Sequence, residues 1–105
     1  MHVQEQGQAV VVVMDNDESA TLWRVLEPYV DRGRRTFVLD LGHVTYLNSV
    51  AIASIIAARN RILAVGGRFA VANLGETVRA VFRVLKLERV FDLELDVERA
   101  VAANP

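Results

Sequence analysis

Short unbroken apolar blocks alternate with longer apolar stripes along this chain, and the alternation reads as strands followed by helices. Residues 8–14 carry Val10, Val11, Val12 and Val13, a β-branched run suited to a buried strand. Residues 2–6 are placed to pair beside it, with Gly7 as the turn. Asp15, Asn16 and Asp17 end the strand, and any of these, or Ser19, offers a helix cap. Over residues 19–32, Leu22, Val25, Leu26, Tyr29 and Val30 follow the stripe of an amphipathic helix. Pro28 inside that stripe predicts a kink or a break, and Gly33 a left-handed stop.

Residues 36–41 read as a second buried strand, and 49–65 as the strongest helix. In that helix Ile52, Ile55, Ile56, Ile62 and Leu63 share a face, with Arg59 among them. Val50, Ala53, Ser54, Ala57, Arg61 and Ala64 share the opposite face. Gly66 and Gly67 close it, and a strand over 68–73 follows around Phe69 and Val71. A third helix over 75–86 turns Val78, Val81, Phe82 and Leu85 inward and Arg79, Arg83 and Lys86 outward. Val90, Phe91, Asp92 and Leu93 read as a short last strand. Residues 96–103 form a final short helix, and Asn104 and Pro105 a frayed end. Crossovers of this length join parallel strands through right-handed connections. The expected fold is a single α/β domain over residues 1–105. Its sheet is mixed and mostly parallel, with four to five strands, and it carries three to four helices.

Composition narrows the function more than the fold. A chain of 105 residues with 52% hydrophobic and 24% charged positions makes one small core and is not disordered. The net charge of −1 gives no bulk attraction to nucleic acid or to an anionic membrane. No cysteine is present, which removes disulfides, thiolate metal ligands and cysteine nucleophiles together and fits a reducing compartment. No apolar run reaches the roughly 18 residues of a spanning helix, and no signal-type block opens the sequence. The expectation is a cytoplasmic protein without membrane insertion.

Chemistry concentrates at Asn48 and Ser49, where the loop after the 36–41 strand gives way to an apolar helix. A phosphate on Ser49 would meet free backbone N–H groups and the positive end of the helix dipole. Equally, Ser49 or Asn48 is a preferred cap residue and needs no further role. A nucleophilic Ser49 would require a base, and His2 and His43, the two histidines, belong to no catalytic motif. That argues against a hydrolase and for a protein that is not an enzyme.

The segment from Asp40 and Leu41 through Val44, Tyr46, Leu47, Asn48, Ser49, Val50, Ala51 and Ile52 resembles the central motif of the STAS family, which includes the anti-sigma factor antagonists. Gly66, Gly67, Arg68 and Phe69 resemble that family's glycine turn into the next strand. Val78, Phe82, Leu85, Leu87, Val90 and Phe91 resemble its closing helix and last strand. The resemblance is strongest over residues 8–93. It implies phosphorylation at Ser49 and a partner that is an anti-sigma factor and a serine kinase of the ATP-binding, histidine-kinase-like type. It implies a contact surface of Asn48, Ser49, Val50, Ala53, Ser54, Ala57 and Arg61, on a monomer or weak dimer that needs no cofactor. The chain departs from the family pattern at Asn48, where aspartate is usual, at Val50 in place of a hydroxyl residue, and at Ala51 in place of glycine. Met14, Asp15, Asn16 and Asp17 stand where Gly-Glu-Leu-Asp is common. Asn48 either keeps the loop geometry through its side-chain carbonyl or marks a lost kinase contact. Some members of the family are constitutive subunits bound to transporter ATPases, and in that reading Ser49 is only a cap.

Other chemistry-bearing groups have plainer readings. Asp40, with the acidic cluster Asp15, Asp17 and Glu18, suggests an aspartyl-phosphorylated receiver domain, but no lysine follows in the late strand–loop position that chemistry needs. Carboxylates capping a helix start are the simpler account, and no metal site is expected. Arg59 reads as a side chain snorkelling to the sheet edge, and Trp23 as core packing. The Arg79, Arg83 and Lys86 stripe lacks interleaved aromatics and reads as a solvated face. Gly66 and Gly67 lack phosphate-loop spacing.

Overall fold

The computed structural model describes residues 1–16 and 21–102. Strand β1 (His2–Gln6) pairs antiparallel with β2 (Ala9–Val13) across a turn at Gly7, whose φ of 60° lies in the left-handed region that favours glycine. Helix α1 (Leu22–Asp31) leads to β3 (Thr36–Asp40), and α2 (Ser49–Ala64) leads to β4 (Arg68–Ala72). The strands lie in the order β1-β2-β3-β4, with β2, β3 and β4 mutually parallel. Helix α3 (Glu76–Val84), a 3₁₀ turn (Leu87–Arg89) and helix α4 (Val97–Ala102) complete the chain. The sheet is thus mixed and mostly parallel, as the hydrophobic pattern predicts.

The chain steps across the sheet in one direction from β2 to β4, and right-handed crossovers then put α1 and α2 on the same face. Register builds that face from Val10, Phe37 and Phe69 in one row and Val12, Leu39 and Val71 in the next. Leu22 and Leu26 of α1, Ile52, Ile55 and Ile62 of α2, and Val78 and Phe82 of α3 close over it. The alternate positions Val11, Val38 and Ala72 form a smaller core on the other face, covered by Ala100 of α4. The valine run of β2 is therefore unbroken because both faces of the strand are covered.

Several sequence expectations are corrected. The segment 90–93 is not a strand. Lys86, in a left-handed conformation, ends α3, and the 3₁₀ turn carries Phe91 inward. There Phe91 packs edge-on against Phe82 and Phe69, with centroids 5.7 and 6.3 Å away. Phe91 and Leu93 are satisfied by core packing, with no ladder on β4, while Val90 stays 45% exposed. Leu63 is 43% exposed, because it lies a further 100° round from Ile62, while the small Ala51 and Ala58 are buried. Leu85 is 50% exposed, since it falls past the last turn of α3. Arg79 is half-buried: one guanidinium nitrogen donates to the Leu74 carbonyl at 3.1 Å, and Nε lies 3.7 Å from the Glu94 carboxylate.

Pro28 does not break α1, which continues to Asp31. The donor it lacks would serve the carbonyl of Arg24, an exposed residue whose backbone water can reach. Gly33, at φ 93°, follows the helix as expected. The start of that helix at Ser19, the acidic residues Asp17 and Glu18, and the frayed end at Asn104 and Pro105 lie outside the described residues. Arg59 does not simply reach for solvent: its guanidinium sits 5.7 Å above the Phe91 ring. Trp23 is half-buried at the α1–α2 seam, donating to Glu27 at 3.3 Å and covered by the Arg61 guanidinium 4.9 Å above its ring.

Candidate functional site

The site is built at the carboxyl end of β3, where an open α/β sheet gathers its loops. Asp40 ends the strand and turns the chain. Its Oδ1 accepts from the Gly42 N–H at 2.8 Å and from the Asn73 amide at 3.1 Å. This ties the loop after β3 to the loop after β4, so Asp40 serves as a latch, which accounts for it without aspartyl phosphorylation. Leu41 and Val44 are buried and pin the loop from below.

A second brace comes from the loop after β2. Asn16 donates to the Thr45 hydroxyl at 3.0 Å and accepts from the Thr45 N–H at 3.1 Å. Next to it, His43 Nδ1 lies 3.3 Å from the Asp15 carboxylate. Held from both sides, residues 46–48 deliver the chain into α2. Tyr46, 51% exposed, and Val50, 59% exposed, flank the turn with apolar surface.

The two capping candidates take different positions. Asn48 is the N-cap, with extended backbone (φ −97°, ψ 178°), and its side-chain oxygen accepts from the Ala51 N–H at 2.8 Å. Its backbone carbonyl accepts the first helical bond, from Ile52 at 3.1 Å. The side-chain carbonyl thus makes the bond that an aspartate would make there, so the turn into α2 is kept. Ser49 is the first helical residue and is exposed. Among the described residues, the Ser49 and Val50 N–H groups are the first-turn donors with no backbone or capping partner. The electrostatics at the Ser49 hydroxyl therefore favour negative charge. We expect Asn48→Ala to cost about 1 kcal/mol and Asn48→Asp to be neutral or slightly stabilising, as read by thermal melts.

The remaining surface residues expected from the sequence lie along α2 from this point. Val50, Ala53, Ala57 and Arg61 are exposed and Ser54 is half-buried. Arg61 lies farthest from the serine, against Trp23 of α1. Sequence reasoning missed the Asn16–Thr45 brace, which joins residues 29 positions apart. It also gave no weight to the exposed Tyr46 beside the turn into α2, although an aromatic residue three before the serine was a visible signal. Among the described residues, no three acidic, histidine or cysteine side chains gather as metal ligands, and no helix is long and apolar enough to cross a membrane.

A four-stranded mixed sheet with three helices on one face, one on the other, and a serine opening the helix after an inner parallel strand defines a STAS-type domain. The chain belongs to the STAS domain family, whose model matches residues 3–100. It is similar to BtrV of Bordetella bronchiseptica, which bears the name of an anti-sigma factor antagonist. The two are 29% identical over 91 residues, spanning 87% of this chain and 78% of that protein. A Thermotoga maritima protein described as an anti-sigma factor antagonist shares the fold with a TM-score of 0.83 at 21% identity, over 97% of this chain and 92% of that one. SpoIIAA of Bacillus, solved in its phosphorylated form, shares it at 0.72 and 16% identity, over 99% and 98% of the two chains.

Proposed function

We propose that this STAS domain is an anti-sigma factor antagonist that works by partner switching. In its unmodified form it binds an anti-sigma factor that is also a serine kinase, and so frees a sigma factor. Phosphorylation of Ser49 releases the partner. The observation that carries this reading is the division of labour between Asn48 and Ser49. Asn48 caps the helix, so the exposed Ser49 hydroxyl is not needed for that role. The relatives named as anti-sigma factor antagonists and the phosphorylated form of SpoIIAA support it.

The domain does no chemistry of its own in this account. The kinase transfers the γ-phosphoryl group of ATP to Ser49 Oγ. ADP leaves, and the hydroxyl proton passes to a base on the kinase. The product carries a charge of about −1.5 to −2 at pH 7. On this chain the charge lies beside the unpaired first-turn N–H groups, so the fold accommodates it. A partner covering Val50, Ala53 and Ala57 would have to desolvate it, and the complex dissociates. The switch is a local change of charge on a fixed scaffold.

Incubation with ATP and the anti-sigma kinase encoded in the same organism tests this directly. Phosphate should appear on Ser49, acid-stable, in the wild type and not in Ser49→Ala. A partner that binds the protein tightly yet never phosphorylates it would favour a constitutive subunit in which Ser49 has no regulatory role.

A further inference from the structure

Helix α3 carries two apolar stripes, and the fold covers only one. Val78 and Phe82 are buried in the main core. Thr77, Ala80 and Val84 recur at the spacing of a second stripe about a third of a turn or more away, and with Glu76, Leu85 and Val81, which is half-buried at the edge of the core, they line a shallow apolar groove. Val84 at its end is 79% exposed, the most exposed large apolar side chain among the described residues. An amphipathic helix normally turns such a stripe toward a neighbour.

The charges beside the stripe identify the neighbour. Glu76 lies in the first turn of α3 and Arg83 in the last. Seven residues apart, they differ by only about 20° around the helix axis, so both flank the stripe on one side. We infer that two copies of this chain pair through α3, antiparallel about a two-fold axis passing near Ala80. In that arrangement the helix ends exchange while the flank is retained. Glu76 of each copy then faces Arg83 of the other, twice over, as an isologous interface requires. The axis falls midway between these residues, beside Ala80, the smallest side chain of the stripe, which lets the helices approach toward about 8 Å. Each acidic N-terminal end also lies against the partner's basic C-terminal end, matching the helix dipoles. The contact is short. The nine residues of α3 span about 13 Å, which buries less than the roughly 1,200 Å² of a standard stable interface. The pairing is therefore weak, with Kd on the order of 100 µM.

Sedimentation equilibrium on the full chain, from about 10 µM to about 1 mM, reads the association. The wild-type mass should climb from 11.7 kDa toward twice that value. Val84→Glu should hold it at the monomer value. Glu76→Arg and Arg83→Glu should each weaken pairing roughly tenfold, because each replaces two attractive pairs with two repulsive ones. An equimolar mixture of those two variants should recover wild-type affinity, since one variant then presents only arginines at the two positions and the other only glutamates, and both contacts join opposite charges. Thermal melts keep the reading independent of folding: Val84 and Glu76 are exposed, and Arg83 gives up only its exposed contact with Glu94. A wild type that stays monomeric throughout would overturn the inference, whether or not another protein covers this face. So would association that Val84→Glu leaves intact, or a mixture no stronger than its parts.

Discussion

Ser49→Asp should bind the proposed anti-sigma partner about 30- to 150-fold more weakly than the wild type, a loss of roughly 2–3 kcal/mol. It should at the same time unfold at a slightly higher temperature. The two effects have opposite signs because they arise on opposite sides of the same charge. Inside the free domain, a carboxylate at the first helical position faces the unpaired Ser49 and Val50 N–H groups. A charge at that end stabilises a helix by about 0.3–1 kcal/mol, worth a few degrees in Tm for a domain of this size. In the proposed complex, the same charge would be buried against a surface that faces Val50, Ala53 and Ala57, and burial without a partner charge is costly. Calorimetric titration and a thermal melt on one preparation separate the terms. Weaker binding together with a lower Tm would mean that the substitution acts by damaging the domain. Unchanged binding would mean that Ser49 lies outside the interface.

Gly67→Ala should destabilise the domain by about 2–3 kcal/mol, lowering Tm by roughly 10–20 °C, although it adds a single methyl group. Helix α2 ends in a paired-glycine stop. Gly66 takes φ 79° and donates to Leu63 at 3.0 Å, and Gly67 donates to Ile62 at 2.8 Å. Gly67 is then enclosed. A Cβ there would lie 2.7 Å from the Arg35 carbonyl oxygen and 2.7 Å from the Ile62 side chain. The oxygen is backbone, and it accepts the Arg68 N–H that starts the pairing of β4 beside β3, so it cannot move without opening the sheet. Gly66→Ala is the control. Its Cβ meets nothing within 4 Å, so only the left-handed backbone is penalised, at about 1–2 kcal/mol. Urea denaturation of the pair decides the matter. Equal losses would show that the close approach at Gly67 is relieved by a small shift.

Periodicity carried most of the architecture because each element here has one dominant pattern. The valine run of β2, the isoleucine spacing of α2 and the glycine pair after it all declare themselves. It failed where composition was right and phase was not. Leu63 and Leu85 are leucines beside a core stripe, one a step too far round its helix and the other past its helix end. Val90, Phe91, Asp92 and Leu93 alternate like a strand, but the alternation is met by driving Phe91 between Phe69 and Phe82. Ser49 stood out as a residue, while its role hung on one backbone conformation. Asn48 and Ser49 are equally good caps by type, and only the extended ψ of Asn48 and its bond to Ala51 assign the cap. The latch from Asp40 to Asn73 and the brace from Asn16 to Thr45 span 33 and 29 residues, distances over which a linear pattern carries no signal.

Partner switching stands or falls with regulated phosphorylation of Ser49. The measurement that bears on it most directly is phosphosite mapping with stoichiometry, on this protein isolated from its own cells during growth and under stress. The account predicts acid-stable phosphate on Ser49 at substantial occupancy that changes between the two conditions. No phosphate on Ser49 in either condition would contradict it, leaving a binding module whose exposed serine is never modified.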